Sequence, residues 1–139
     1  MKEKIFIASD HAGFKLKTQL INHFKGLFDD LGTKNEESVD YPDYAYSLVK
    51  KIHNVSNGKG VLICGSGVGM SITANRDPNI RAGLAFNSEV AELIRRHNDA
   101  NVLVLPGRFI DIHVAIKCVD KFLETNFEAG RHQKRIKKI

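Results

Sequence analysis

No part of this sequence comes near the run of about 18 apolar residues that a membrane-spanning helix needs, so no membrane association is expected. The first residues, MKEKIFIASDHAG, hold only a short apolar stretch before Asp10 and read as a first strand, not a signal peptide. Cysteine is scarce: Cys64 sits at a strand end and Cys118 within a helix. Two such residues do not make a disulfide framework and point to reduced thiols in a cytoplasm. No grouping of His, Cys, Asp and Glu has metal-ligand spacing, so no metal is expected, and no cofactor either. Internal repeats, low-complexity tracts and linkers are all missing, and the 139 residues read as one domain, 1–139. A chain of this size buries about two-thirds of its unfolded surface. Its apolar fraction of 42% and charged fraction of 27% are ordinary for a globular protein.

The net charge is +5, and much of it comes from the closing stretch RHQKRIKKI. That stretch has no aromatic residue on which a base could stack, which argues against nucleic acid. A solvated terminal helix or a small phosphate fits it better.

Along the chain, strand-like and helix-like segments alternate. Strands are expected at Lys4–Ser9, Phe28–Leu31, Gly60–Ile63, Ile80–Ala85 and Val102–Leu105. Helices are expected over Phe14–Lys25, from the Asp40-Tyr41-Pro42-Asp43 loop to about Val55, after the glycine loop at 65–69, from Ser88 as cap to Arg96, over Phe109–Leu123, and from Glu128 onward. This alternation predicts an α/β fold: a three-layer α/β/α sandwich around a five-stranded parallel sheet, Rossmann-like in outline. Ligands bind such sheets beyond the carboxyl ends of the strands, where strand order reverses. The residues just past those ends are Asp10-His11-Ala12-Gly13, Cys64-Gly65-Ser66, Asn87-Ser88 and Pro106-Gly107-Arg108.

The most informative stretch is Val61–Asn75, VLIC followed by GSGVG and MSITAN. A glycine-rich turn from strand to helix, with glycines at 65, 67 and 69, aims backbone N–H groups at one spot and suits an anion or a developing oxyanion. A thiol facing such donors is stabilised as thiolate and can act as base or nucleophile. Other phosphate motifs fail here. The spacing is G-x-G-x-G and not the dinucleotide fingerprint G-x-G-x-x-G, and Phe86-Asn87 offers no acid for a ribose diol. Met70 stands where a P-loop would have lysine and where a cysteine phosphatase would have arginine.

Further candidates come in pairs. Asp10-His11 offers a hydroxyl acceptor beside an acid/base or phosphate donor, or simply a helix cap and a loop histidine. His97-Asn98 closes the fourth helix, where a cation and an asparagine also suit a helix end. Arg131 and Arg135 lie four apart and could hold one phosphate from two sides. His23, His53 and His113 read as ordinary helix-face residues.

Taken together, ASDHAG, DYPDYA, ICGSGVGMSITANR, RRHNDANVLVLPGR and GRHQKRI resemble the B-type ribose-5-phosphate isomerases, a family that also includes isomerases of allose and galactose 6-phosphates. The resemblance covers essentially the whole chain. It implies an aldose–ketose isomerase of ribose 5-phosphate and ribulose 5-phosphate in the pentose phosphate pathway, working through ring opening and a cis-enediolate. Cys64 then matches the base, placing the chain with the cysteine branch, since Met70 stands where another branch has glutamate. Ser66 matches the residue that moves a proton between the oxygens, and Gly65, Gly67 and Gly69 form the oxyanion nest. His97 matches the ring-opening acid/base, with Asp10 holding a sugar hydroxyl, Asn98 assisting and Tyr41 contacting the sugar. The phosphate falls to His11, Arg131 and Arg135, with Arg108 a further match donated across a dimer interface. The family's homodimers, or dimers of dimers, share their sites between subunits, and the full residue set here favours a self-sufficient homo-oligomer. A six-carbon sugar phosphate such as allose 6-phosphate is the alternative substrate. A non-catalytic phosphate-binding α/β module is the alternative from another class.

Overall fold

The computed structural model describes residues 5–139. Strands and helices alternate as β1 (Ile5–Ser9), α1 (Phe14–His23), β2 (Phe28–Asp30), α2 (Tyr41–His53), β3 (Gly60–Cys64), α3 (Val68–Ala74), β4 (Ala82–Leu84), α4 (Ser88–Arg96), β5 (Val102–Pro106), α5 (Ile112–Glu124) and α6 (Arg131–Ile136). Lys4, expected to open the first strand, lies outside the described residues. The five strands form one sheet in the order β2-β1-β3-β5-β4, and every neighbouring pair is parallel. The expected α/β/α sandwich is the observed fold.

Pleating divides the core in two. Ile5, Ile7, Val61, Ile63, Leu103 and Leu105 face α1, α4 and α5, whereas Phe6, Ala8, Leu62, Cys64, Val102 and Val104 face α2 and α3. β1, β3 and β5 are buried along their whole length, as parallel strands covered on both faces must be. From β1 the chain steps outward to β2, then returns across β1 to place β3 on its other side. Strand order therefore reverses between β1 and β3, which opens a crevice beyond their carboxyl ends.

Several element boundaries differ from expectation for identifiable reasons. β4 is shorter than Ile80–Ala85 because loop side chains capture its first donors: Asn101 Oδ1 accepts from Arg81 N at 2.8 Å, and Asn75 Oδ1 from Ala82 N at 2.8 Å. Asn87, not Ser88, caps α4, its Oδ1 accepting from Val90 N at 2.8 Å. α5 opens three residues later than Phe109, after Asp111, whose carboxylate caps it through Val114 N at 3.0 Å. α6 begins at Arg131 and not Glu128, because Ala129 (φ 58°) and Gly130 (φ 57°) both take positive φ and cannot continue a helix.

Candidate active site

At the reversal between β1 and β3 lies an open groove of about 440 Å³, a volume suited to a small ligand. Asp10, His11, Tyr41, Cys64, Gly65, Ser66, Gly69 and Arg108 all line it. Cys64 is the last residue of β3 and, on the face turned toward α2 and α3, forms part of the groove floor while only 5% exposed. Two glycines shape the walls. Gly67 opens α3 at φ 78°, a left-handed conformation that L side chains rarely adopt. Gly69 lets the Tyr41 ring lie on α3, since a Cβ there would come within 2.5 Å of Tyr41 Cε1.

The first N–H groups of a helix have no intrahelical acceptor. One of them, Val68 N, is taken by Ser66 Oγ at 3.2 Å, so that hydroxyl already serves as an acceptor and keeps its own proton for donation elsewhere. Asp10 is buried, its Oδ1 accepting from Gly13 N at 3.1 Å. Although Asp10 ties down the turn before α1, Gly13 is the residue at the cap position. His11 Nδ1 accepts from Val39 N at 3.2 Å. In the neutral ring that bond assigns the proton to Nε2, leaving a donor for an incoming anion. Arg108, expected across a subunit interface, instead stands in the groove of its own chain. Backbone bonds from Gly107 N to Cys64 O (2.8 Å) and from Arg108 N to Gly65 O (3.0 Å) hold the β5–α5 loop against the glycine turn. A Cβ on Gly65 would lie 3.3 Å from Arg108 Cδ and Nη1.

The remaining candidates are at the other edge of the sheet. A helix that follows a parallel strand runs back along it, so His97 and Asn98, at the end of α4, arrive at the strands' amino ends. There Asn101 O accepts from Gly60 N, the first residue of β3, at 3.0 Å. Glu128 N donates to Arg96 O at 3.0 Å, bringing α6 with Arg131 and Arg135 to the same place. One chain therefore separates Cys64, Asp10, His11, Tyr41, Ser66 and Arg108 from His97, Asn98, Arg131 and Arg135. Two residues stand out that sequence reasoning missed. His132 stacks on His97, ring centroids 4.2 Å apart, and Lys17 is buried at 1% exposure beneath the loop after β2, which carries Val39. The signal for Lys17 was its place on the apolar stripe of α1.

A larger hollow of about 580 Å³ at the amino edge is lined by His53, Arg81, Arg95 and Asp99, among others. Its charged groups are already engaged, Asp99 with Arg81 (3.2 Å) and Arg95 (2.8 Å), and His53 with Asp77 (2.8 Å). Its lining has no cysteine, serine or threonine, so the groove at the strand reversal is the better candidate. Among the described residues, no group of three His, Cys, Asp or Glu side chains is placed to hold a metal, and no helix is long and apolar enough to cross a membrane.

A parallel α/β sandwich with a thiol, a carboxylate, an imidazole and a guanidinium around its strand-order reversal has the layout of an α/β protein built to hold a small anionic ligand. The family model described as Ribose/Galactose Isomerase matches residues 5–139. A putative sugar phosphate isomerase of Rickettsia conorii is 49% identical over 138 residues, covering 97% of this chain and 96% of that protein. Ribose-5-phosphate isomerase B of Escherichia coli is 39% identical over 140 residues, covering 99% and 94%. Among solved structures, a ribose 5-phosphate isomerase from Thermotoga maritima superposes with a TM-score of 0.93 at 52% identity, covering 97% of this chain and 95% of that one. Ribose-5-phosphate isomerase B from Mycoplasma genitalium, solved with bound ribulose-5-phosphate, has a TM-score of 0.91 at 44% identity, covering 97% and 92%. The chain belongs to the ribose/galactose isomerase family.

Proposed function

We propose that this protein interconverts ribose 5-phosphate and ribulose 5-phosphate, with Cys64 as the base. The observation that carries this reading is the Cys64 thiol on the floor of the groove at the strand reversal, with Asp10, His11, Ser66, Tyr41 and Arg108 around it. Its relatives from Escherichia coli and Mycoplasma genitalium carry the same activity in their names.

In the aldose-to-ketose direction, the Cys64 thiolate takes the proton from C2. The C–H electron pair becomes the C1–C2 double bond, and the carbonyl pair moves onto O1. Amide donors of the Gly65–Gly69 turn stabilise this oxyanion, each worth about 2.7–4 kcal/mol in comparable sites. Ser66 passes the O2 proton to O1, and the thiol returns its proton to C1, so every proton is accounted for. Before this, His97 donates to the ring oxygen and accepts from the O1 hydroxyl to open the furanose, with Asp10 and Asn98 on the sugar hydroxyls and Tyr41 against the carbon chain. His11, Arg108, Arg131 and Arg135 bind the phosphate.

One copy cannot assemble this set, because His97, Asn98, Arg131 and Arg135 lie at the opposite sheet edge. A second copy must supply them, and a homodimer with shared sites is the simplest symmetric arrangement. An apolar rim beside Ser66 supports this, with Phe86 58% and Phe109 75% exposed in the isolated chain.

The test is turnover of ribose 5-phosphate beside allose 6-phosphate by the purified protein. The proposal expects the five-carbon sugar to have the higher kcat/KM. A clear preference for allose 6-phosphate would move the assignment to six-carbon sugars, and no turnover of either would favour a binding module.

A further inference from the structure

At the amino edge of the sheet the imidazoles of His97 and His132 lie face to face, centroids 4.2 Å apart and planes 14° from parallel. His132 is buried, and its Nε2 is enclosed with no hydrogen-bond partner. The reaction outlined above does not use it. An enclosed imidazole nitrogen without a partner is tolerable as a lone pair and very unfavourable as part of a cation. Burial is the largest influence lowering its pKa, followed by the neighbouring charge of His97. Arg131 and Arg135 on α6 act in the same direction. Glu128, before α6, opposes them, but its carboxylate is engaged by Arg96 at 3.1 Å.

We propose that His132 is a positioning residue: its ring backs the His97 imidazole and holds its plane while His97 moves the protons that open the sugar ring. This rests on the assignment of His97 to ring opening. His132 is also the one buried residue of α6, so the rival reading is that it merely seats Arg131 and Arg135, in which case its loss would raise KM. A useful test must separate the two roles.

Three readouts on the intact protein do so. Turnover of ribose 5-phosphate, a closed furanose in solution, needs ring opening. Exchange of the C1 hydrogen of ribulose 5-phosphate with D2O needs only enolisation, because its esterified O5 cannot close a ring. KM for ribulose 5-phosphate reports on the phosphate-binding arginines. His132→Ala removes the ring, whereas His132→Phe keeps a neutral planar one, and His97→Asn is the reference. His132→Ala is expected to lower kcat on ribose 5-phosphate by about 10- to 100-fold, the scale of a misplaced catalytic group, with exchange and KM within about threefold of the parent. His132→Phe should stay within about threefold on all three readouts. The proposal is overturned if His132→Phe loses as much as His132→Ala, since the nitrogen would then be required. It also fails if His132→Ala lowers turnover and exchange equally, or lowers neither. Equal losses of turnover and exchange in His97→Asn would instead remove the ring-opening role of His97, and this proposal with it.

Discussion

Replacing Asp30 with alanine should destabilise this protein more than replacing Lys17 with methionine, although both changes break the same ion pair. Lys17 Nζ lies 2.6 Å from Asp30 Oδ1 and 2.8 Å from Thr33 O, and sits 5.4 Å from the Phe14 ring centroid. The two partners differ in exposure, Lys17 at 1% and Asp30 at 45%. Without Asp30 the ammonium remains buried with one carbonyl for company, a loss of about 3–5 kcal/mol for a fully enclosed pair. Because Asp30 is half solvated and its attraction partly screened, the lower end, about 3 kcal/mol, applies. Loss of the Gly32 N to Asp30 Oδ1 bond (2.9 Å) adds about 1 kcal/mol. Without Lys17, water solvates the carboxylate and one carbonyl loses its donor, at about 1–3 kcal/mol. A gap of about 1–3 kcal/mol corresponds to urea midpoints about 0.5–1.5 M apart. Midpoints should be compared at one protein concentration, since self-association shifts them. The loop this pair supports carries Val39, whose amide holds His11, so both variants should raise KM for sugar phosphate more than they lower kcat. Equal midpoints, or a lower one for Lys17→Met, would refute the reasoning.

Other expectations follow from the same geometry. If sites are shared, mixing the inactive variants Cys64→Ala and His97→Asn and allowing subunits to exchange should restore about a quarter of parental activity, since half the dimers carry one intact site. Sites complete within one chain would give no recovery. Burial pushes the Cys118 thiol up to about 11, so the unfolded chain ionises first as pH rises, and this thiol's contribution to stability is lost above pH 9. The slope is about 1.4 kcal/mol per pH unit until the folded thiol titrates. Urea unfolding of the parent and Cys118→Ala across pH 8–10.5 should show that slope in the parent alone, and parallel curves would contradict it. The pKa of His132 is lowered, so as pH falls below the ordinary histidine value the unfolded chain gains a proton that the fold does not accept. His132→Phe should therefore lose stability less steeply than the parent between pH 7 and 5. An unchanged slope would argue that the ring is not held neutral.

Much of this molecule can be read from its letters because a parallel sheet leaves conspicuous marks. VLIC and VLVLP are continuous apolar runs, and the polar residues that follow them must lie at the carboxyl edge, where Cys64, Ser66 and Arg108 stand. The short strands were less legible: β2 carries two aspartates, and β4 loses its first donors to Asn75 and Asn101. The division of the candidate residues was legible in principle, since α4 must return His97 to the amino edge. Which residue would lie over His97 was not, because its contact with His132 spans 35 positions of sequence and depends on α6 beginning after two positive-φ residues.

Most directly, Cys64→Ala should be tested for hydrogen exchange at C1 of ribulose 5-phosphate in D2O, with inorganic phosphate binding measured on the same sample. Removing a general base should slow exchange by about 10²–10⁴-fold and leave phosphate affinity within about threefold. Exchange that continues at the parental rate, or that disappears only together with phosphate binding, would contradict the claim that this thiol takes the proton from the sugar.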